Sequence, residues 1–163
     1  MEKQDKASSK GSNVGIGEYQ TGNLQISSIG LGSCVALILY DRKLKTGGLA
    51  HVMLPESNGK NDRPGKFADT AVPHLIHEME KCGSSRKDLT AYLVGGSSMF
   101  EQFKGNLDIG NRNIAALRES LNKMKIPIES EDIAGTSGRS VFFFPKDEGR
   151  INIRRADGKC YEL

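Results

Sequence analysis

The chain has 163 residues, of which 37% are hydrophobic and 26% charged, enough apolar content for one folded core and far from the composition of a disordered chain. Its 23 basic and 20 acidic residues give a net charge of +3 spread along the sequence, with no tryptophan and few aromatics. This argues against a nucleic-acid surface, which needs a concentrated basic stripe. Three separated cysteines, Cys34, Cys82 and Cys160, form no C-x-x-C pair and fit a reducing compartment better than a disulfide framework.

Residues 1–13 are polar and lysine-bearing, so they read as a flexible tail and not as a secretory signal, which requires an apolar stretch. No segment approaches the roughly 20 apolar residues of a membrane span. A cytoplasmic protein without membrane insertion is expected. Residues 14–163 are then one domain.

Short apolar runs bounded by glycine or polar clusters predict strands at 14–19, 24–29, 35–40, 48–54, 89–94, 128–133, 140–144 and 150–155. Between them, Ala68, Ala71, Val72, Leu75, Ile76, Met79 and Cys82 recur at helical spacing, with Asp69 as the expected cap and Gly83 as the stop. Pro73 must lie near the first turn of that helix, where its missing N–H does least harm. A second helix is predicted from Ile114, Leu117, Leu121 and Met124, starting near Gly110 or Asn111 and ending before Pro127. Strands and helices do not alternate regularly, so a doubly wound nucleotide fold is not expected. The pattern predicts a layered α/β domain: mixed or antiparallel sheets in a central β-sandwich, flanked by the two helices.

The segment Gly30-Leu31-Gly32-Ser33-Cys34 delivers a cysteine through a glycine-rich turn to the start of a strand. Such a turn lets backbone N–H groups converge on one point, as an oxyanion hole requires. If residues 35–40 and 45–54 form a hairpin around a loop at 41–44, Cys34 faces His51 on the same side of the sheet, and the imidazole can take the thiol proton. A neighbouring imidazolium would lower the thiol pKa. Competing chemistries fare worse. The glycines lack the spacing and the following helix of a dinucleotide site. His74 and His77 share a predicted helix without the further ligands a zinc site needs. Arg150, Arg154 and Arg155 read as the solvated side of a strand.

The chain also resembles the CheD family of chemotaxis receptor glutamine deamidases. The similarity is carried by Gly15-Ile16-Gly17-Glu18-Tyr19, the Gly30 to Cys34 turn, Ala50-His51-Val52-Met53-Leu54-Pro55 and Phe67-Ala68-Asp69. It continues through Gly95-Gly96 with Met99-Phe100, Ile109-Gly110 with Arg112-Asn113, and Asp132-Ile133 with Gly135 and Gly138-Arg139. The resemblance implies Cys34 as nucleophile, His51 as base and Ser28 as the hydroxyl that orients the histidine, a position where the family commonly has threonine. Ala134 stands where the family usually has glycine. A fold like that of the cysteine-dependent deamidating toxins is implied, with no metal or organic cofactor. Implied partners are the cytoplasmic helices of chemotaxis receptors as substrate and a CheC-type phosphatase. A second reading is a regulatory module whose main task is to bind that phosphatase. Met99, Phe100 and Phe103 are candidates for a shared docking patch.

Overall fold

A computed structural model describes residues 11–60, 62–98 and 108–163. The described strands are β1 (Ser12–Asn13), β2 (Tyr19–Gly22), β3 (Ile26–Leu31), β4 (Val35–Asp41) and β5 (Thr46–Val52), then β6 (Leu89–Gly95), β7 (Ile128–Ile133), β8 (Arg139–Phe144), β9 (Arg150–Arg155) and β10 (Cys160–Glu162). Helix α1 (Ala68–Lys81) precedes β6 and helix α2 (Ile109–Lys123) follows it. The strands form two five-stranded sheets, ordered β1-β3-β8-β9-β10 and β2-β5-β4-β6-β7. Pairing is antiparallel except for β1 with β3 and β6 with β7, so both sheets are mixed.

Alternation along β4 explains the layering. Leu37 and Leu39 join the cluster beneath the helices with Val72, Leu75 and Leu117, whereas Ala36, Ile38 and Tyr40 join the cluster between the sheets with Phe143 and Ile153. Successive strand side chains point to opposite faces, and all seven β4 residues are buried, so both faces of this strand are covered. The result is three layers: the first sheet, the second sheet, and both helices on the second sheet's far side.

The second sheet is squeezed from both sides where Gly47 and Gly48 lie. A Cβ on Gly47 would come within 2.4 Å of the Phe143 ring and 2.7 Å of the Leu39 carbonyl oxygen, and one on Gly48 within 2.9 Å of Leu75. The Leu39 carbonyl is fixed in the sheet, so the collision cannot be relieved by a rotamer change alone. Gly47→Ala should therefore cost about 3 kcal/mol, at the upper end of overpacking penalties. A thermal melt should show this as a drop of roughly 6–12 °C, given the usual 2–4 °C per kcal/mol for a domain of this size.

Several boundaries differ from the sequence expectation. The run at 14–19 is not one strand: β1 ends at Asn13, β2 begins at Tyr19, and the residues between them turn. Ser12 and Asn13, expected in the tail, instead pair in parallel with Ile26 and Ser27, while residues 1–10 lie outside the described residues. Asp69 does not cap α1. Its carboxylate accepts from the Ser57 backbone N–H at 3.0 Å and the Ser57 hydroxyl at 3.0 Å, and Phe67 takes the cap position. Pro73 lies inside α1, past the first turn. Helix α2 begins at Ile109, with the Asp108 carboxylate accepting from the Asn111 N–H at 3.2 Å.

Candidate active site

Strand β3 belongs to the first sheet and β4 to the second, so the chain between them crosses from one sheet to the other. Cys34 ends this crossing. Two features prepare it. The β3–β8 pairing slips between Ser28 and Leu31, a bulge in which three steps along β3 match two along β8. Gly30 within the bulge takes a left-handed conformation at φ +72°, which glycine adopts at no steric cost, and its N–H donates to Ser140 Oγ at 3.2 Å.

The turn itself is held by its carbonyls. The Gly32 oxygen accepts from the Ser97 N–H at 2.9 Å, the Cys34 oxygen from the Gly96 N–H at 2.9 Å, and the Ser33 oxygen from Asn113 Nδ2 at 3.0 Å. C=O and N–H point opposite ways across a trans peptide, so the Ser33 and Cys34 N–H groups face away from Ser97 and Asn113. Gly95 must be glycine for this arrangement. It sits at φ +116°, and a Cβ there would lie 2.4 Å from the Cys34 carbonyl oxygen.

The register of the β4–β5 hairpin is offset from the expected one. Ala36, not Cys34, faces His51, and Val35 faces Val52. Asp41, expected in the loop, pairs with Thr46, and its carboxylate accepts from the N–H groups of Lys43 and Leu44 at 3.0 and 3.2 Å, which places the turn at residues 42–45. The offset is an even number of residues, so it leaves the face unchanged. His51 shares its face with Leu49, on the side between the sheets, and Cys34 packs against that same cluster. Extending the register puts Cys34 opposite Met53 and makes His51 its diagonal neighbour. Diagonal pairs have Cα atoms about 7–8 Å apart, within reach of a long side chain.

Ser28 approaches His51 from the other sheet. Its Oγ lies 2.8 Å from His51 Nδ1 and donates to the Val14 carbonyl at 2.8 Å, and Nδ1 is itself 3.2 Å from that carbonyl. These contacts fix the tautomer. A carbonyl oxygen only accepts, so Nδ1 carries the proton, and the Ser28 oxygen accepts from Nδ1–H while its own proton goes to Val14. His51 Nε2 is then a bare lone pair, buried and without a partner among the described residues. The turn at 14–18 also clamps the backbone of His51: the Gly17 N–H donates to its carbonyl at 2.9 Å, and its own N–H donates to Glu18 at 3.0 Å.

Burial decides the charge state. Desolvation pushes the His51 pKa below 6.5, against the opposing pull of the Val14 carbonyl and the Glu18 carboxylate, and desolvation pushes the Cys34 thiol above 9.0. Both shifts favour the neutral forms, a protonated thiol and an uncharged imidazole, at neutral pH. Iodoacetamide alkylation of Cys34 followed against pH should show a midpoint above 9.0. A plateau of reactivity reaching down to pH 6 would mean that an ion pair is already formed.

Nothing in the spacing of the sequence marks Asn113 for chemistry. It is wholly buried, and Nδ2 donates to the Ser33 and Met53 carbonyls at 3.0 and 2.9 Å. The sequence shows it only as a polar interruption of the apolar stripe that runs from Gly110 through Ile114, Leu117 and Leu121. His74 and His77 stay apart from the site on α1, with the His74 ring edge-on to Tyr19 at 4.6 Å and its Nε2 3.7 Å from Glu78. Met99, Phe100 and Phe103 lie outside the described residues. Among the described residues no helix is long and apolar enough to cross a membrane.

The model of the family described as CheD chemotactic sensory transduction matches residues 53–155. The chain belongs to the CheD family. It is 47% identical over 128 residues to a probable chemoreceptor glutamine deamidase CheD of Methanococcus vannielii, covering 78% of this chain and 82% of that protein. It is 45% identical over 147 residues to the corresponding protein of Archaeoglobus fulgidus, covering 89% and 93%. With the chemoreceptor glutamine deamidase CheD of Thermotoga maritima it shares 44% over 147 residues, covering 89% and 92%. The family-model match begins after Cys34 and His51, but matches reaching 89% of this CheD-family chain necessarily span positions 28, 34 and 51.

Proposed function

We propose that this protein hydrolyses the side-chain amide of glutamines on chemotaxis receptors, with Cys34 as nucleophile, His51 as general base and acid, and Ser28 as the group that orients His51. The observation that carries the reading is the unpartnered Nε2 lone pair of His51, fixed by the Ser28 and Val14 contacts on the face that Cys34 shares. The names of the relatives supply the substrate.

His51 Nε2 takes the thiol proton as Cys34 Sγ attacks the amide carbon, forming a C–S bond and a tetrahedral oxyanion. The Ser33 and Cys34 N–H groups, turned away from the donors that hold the turn, are the candidates to receive that oxygen. The imidazolium returns its proton to the departing nitrogen, the C–N bond breaks and ammonia leaves a thioester. Water then loses a proton to Nε2 and attacks the same carbon. The C–S bond breaks, the proton passes back to sulfur, and the product is glutamate. The step consumes one water and releases one ammonia.

Ile16, Ile29 and Met53 are exposed apolar side chains next to the residues that hold His51 and Ser28, which suits a protein surface as substrate better than a free small amide. The direct test is to incubate the protein with a receptor cytoplasmic fragment and follow released ammonia together with the mass gain of amide-to-acid conversion. A folded preparation that gives neither signal on any receptor fragment overturns the reading.

A further inference from the structure

We infer that Asn113 is a positioning residue that sets the spacing between the nucleophile turn and the strand of the base. The inference rests on the proposed roles of Cys34 and His51. Asn113 is buried on α2, and its amide nitrogen bonds two carbonyls from different parts of the chain. Ser33, directly before Cys34, is bound at 3.0 Å, and Met53, which follows His51 by two residues, at 2.9 Å. Both acceptors are carbonyl oxygens, which settles that the NH2 end, and not the oxygen, points at them.

The side chain is suited to this place. A neutral group with two donors on a one-carbon stem is found only in asparagine. Aspartate has the same shape but would aim acceptors at two acceptors, and lysine or arginine would bury a charge. The bridge is not needed to seat the helix. Ile114, Leu117 and Leu121 already bury against the second sheet, and Gly110 lies so close to the Gly96 and Ser97 carbonyls that a Cβ would come within 2.5 and 2.6 Å of them. What Asn113 adds is a fixed distance between Ser33 and Met53. It also fixes the plane of the Ser33–Cys34 peptide, and therefore the direction of the Cys34 N–H.

The consequence separates reactivity from catalysis. Loss of the bridge loosens the turn and relieves the burial that holds the thiol protonated, so Cys34 becomes easier to alkylate while its alignment with His51 is lost. Folded Asn113→Ala and Asn113→Ser variants should alkylate with iodoacetamide at pH 8 at least about threefold faster than the unaltered protein, toward the behaviour of an ordinary thiol. Their kcat on a receptor fragment should fall about 100-fold with KM nearly constant, the scale expected of a small misplacement of reacting groups. Unchanged alkylation and unchanged kcat in a folded variant with a lowered melting temperature would reduce Asn113 to a structural residue and overturn the inference. Alkylation is read without any receptor, so a protein inactive on receptors but showing the alkylation difference refutes the proposed function and leaves the bridge standing. If neither variant folds, the Asn113 side-chain amide signals of the unaltered protein provide the test by nuclear magnetic resonance. They should shift on alkylation of Cys34, and signals that stay in place overturn the inference.

Discussion

Cys34→Ala should reduce glutamine conversion to background, a loss of at least about 10⁴-fold. The C–S bond is the covalent intermediate of the proposed reaction, and removing the sulfur removes the thioester route. The change should leave the fold intact. Cys34 is only partly buried, its side chain differs from alanine by one sulfur, and the turn is fixed by carbonyl contacts that the substitution does not touch. A stability change within about 1 kcal/mol is expected, measured by thermal melting beside the activity assay. A folded variant that still releases ammonia from a receptor fragment would remove Cys34 from the chemistry.

His51→Gln should cost about 10³-fold or more, because the imidazole moves the proton both in forming the thioester and in hydrolysing it. A pH signature distinguishes this role from a packing role. In the unaltered protein, kcat/KM should decline on the acid side only below pH 6.5, since burial lowers the folded pKa of His51. The residual rate of the variant should lack that limb. Stability follows the same group with a definite sign. The unfolded imidazole binds its proton at about 6.5 and the folded one only at lower pH, so between those two values the unfolded state holds more protons. The contribution of neutral His51 is fully present above about pH 6.5 and is lost as pH falls through the folded pKa. The variant's melting temperature should therefore be flatter across that window. Ser28→Ala should have a smaller effect on kcat than the loss of His51, because it orients the ring without exchanging a proton with substrate, and Ser28→Thr should retain activity. Equal activity in all three proteins would separate Ser28 from the reaction.

The layered fold was legible because burial imposes a simple pattern. Strand β4 is apolar at nearly every position, which requires cover on both faces, and the stripes of α1 and α2 recur at helical spacing. What escaped the sequence reading is where polar groups bind at a distance. Asp41 reads as a loop residue, yet it lies buried in the strand and caps the turn with its carboxylate, which moved the hairpin register. The residues at 14–18 read as a strand because they mix apolar and polar positions, but they turn to hold His51. Strands β1 and β10 are two and three residues long, too short for any periodicity to declare them. Ala134 shows a different limit. Its φ of +64° explains why glycine suits that position, a fact about backbone geometry that side-chain patterning does not carry.

The donors that fix the Cys34 turn come late in the chain. Ser33 meets Asn113 across 80 positions, and Gly32 and Cys34 meet Ser97 and Gly96. A nascent chain emerging from the ribosome therefore carries Cys34 before the groups that confine it in the fold have been made. Fragments ending before α2 would present Cys34 without the Asn113 contact that holds its turn.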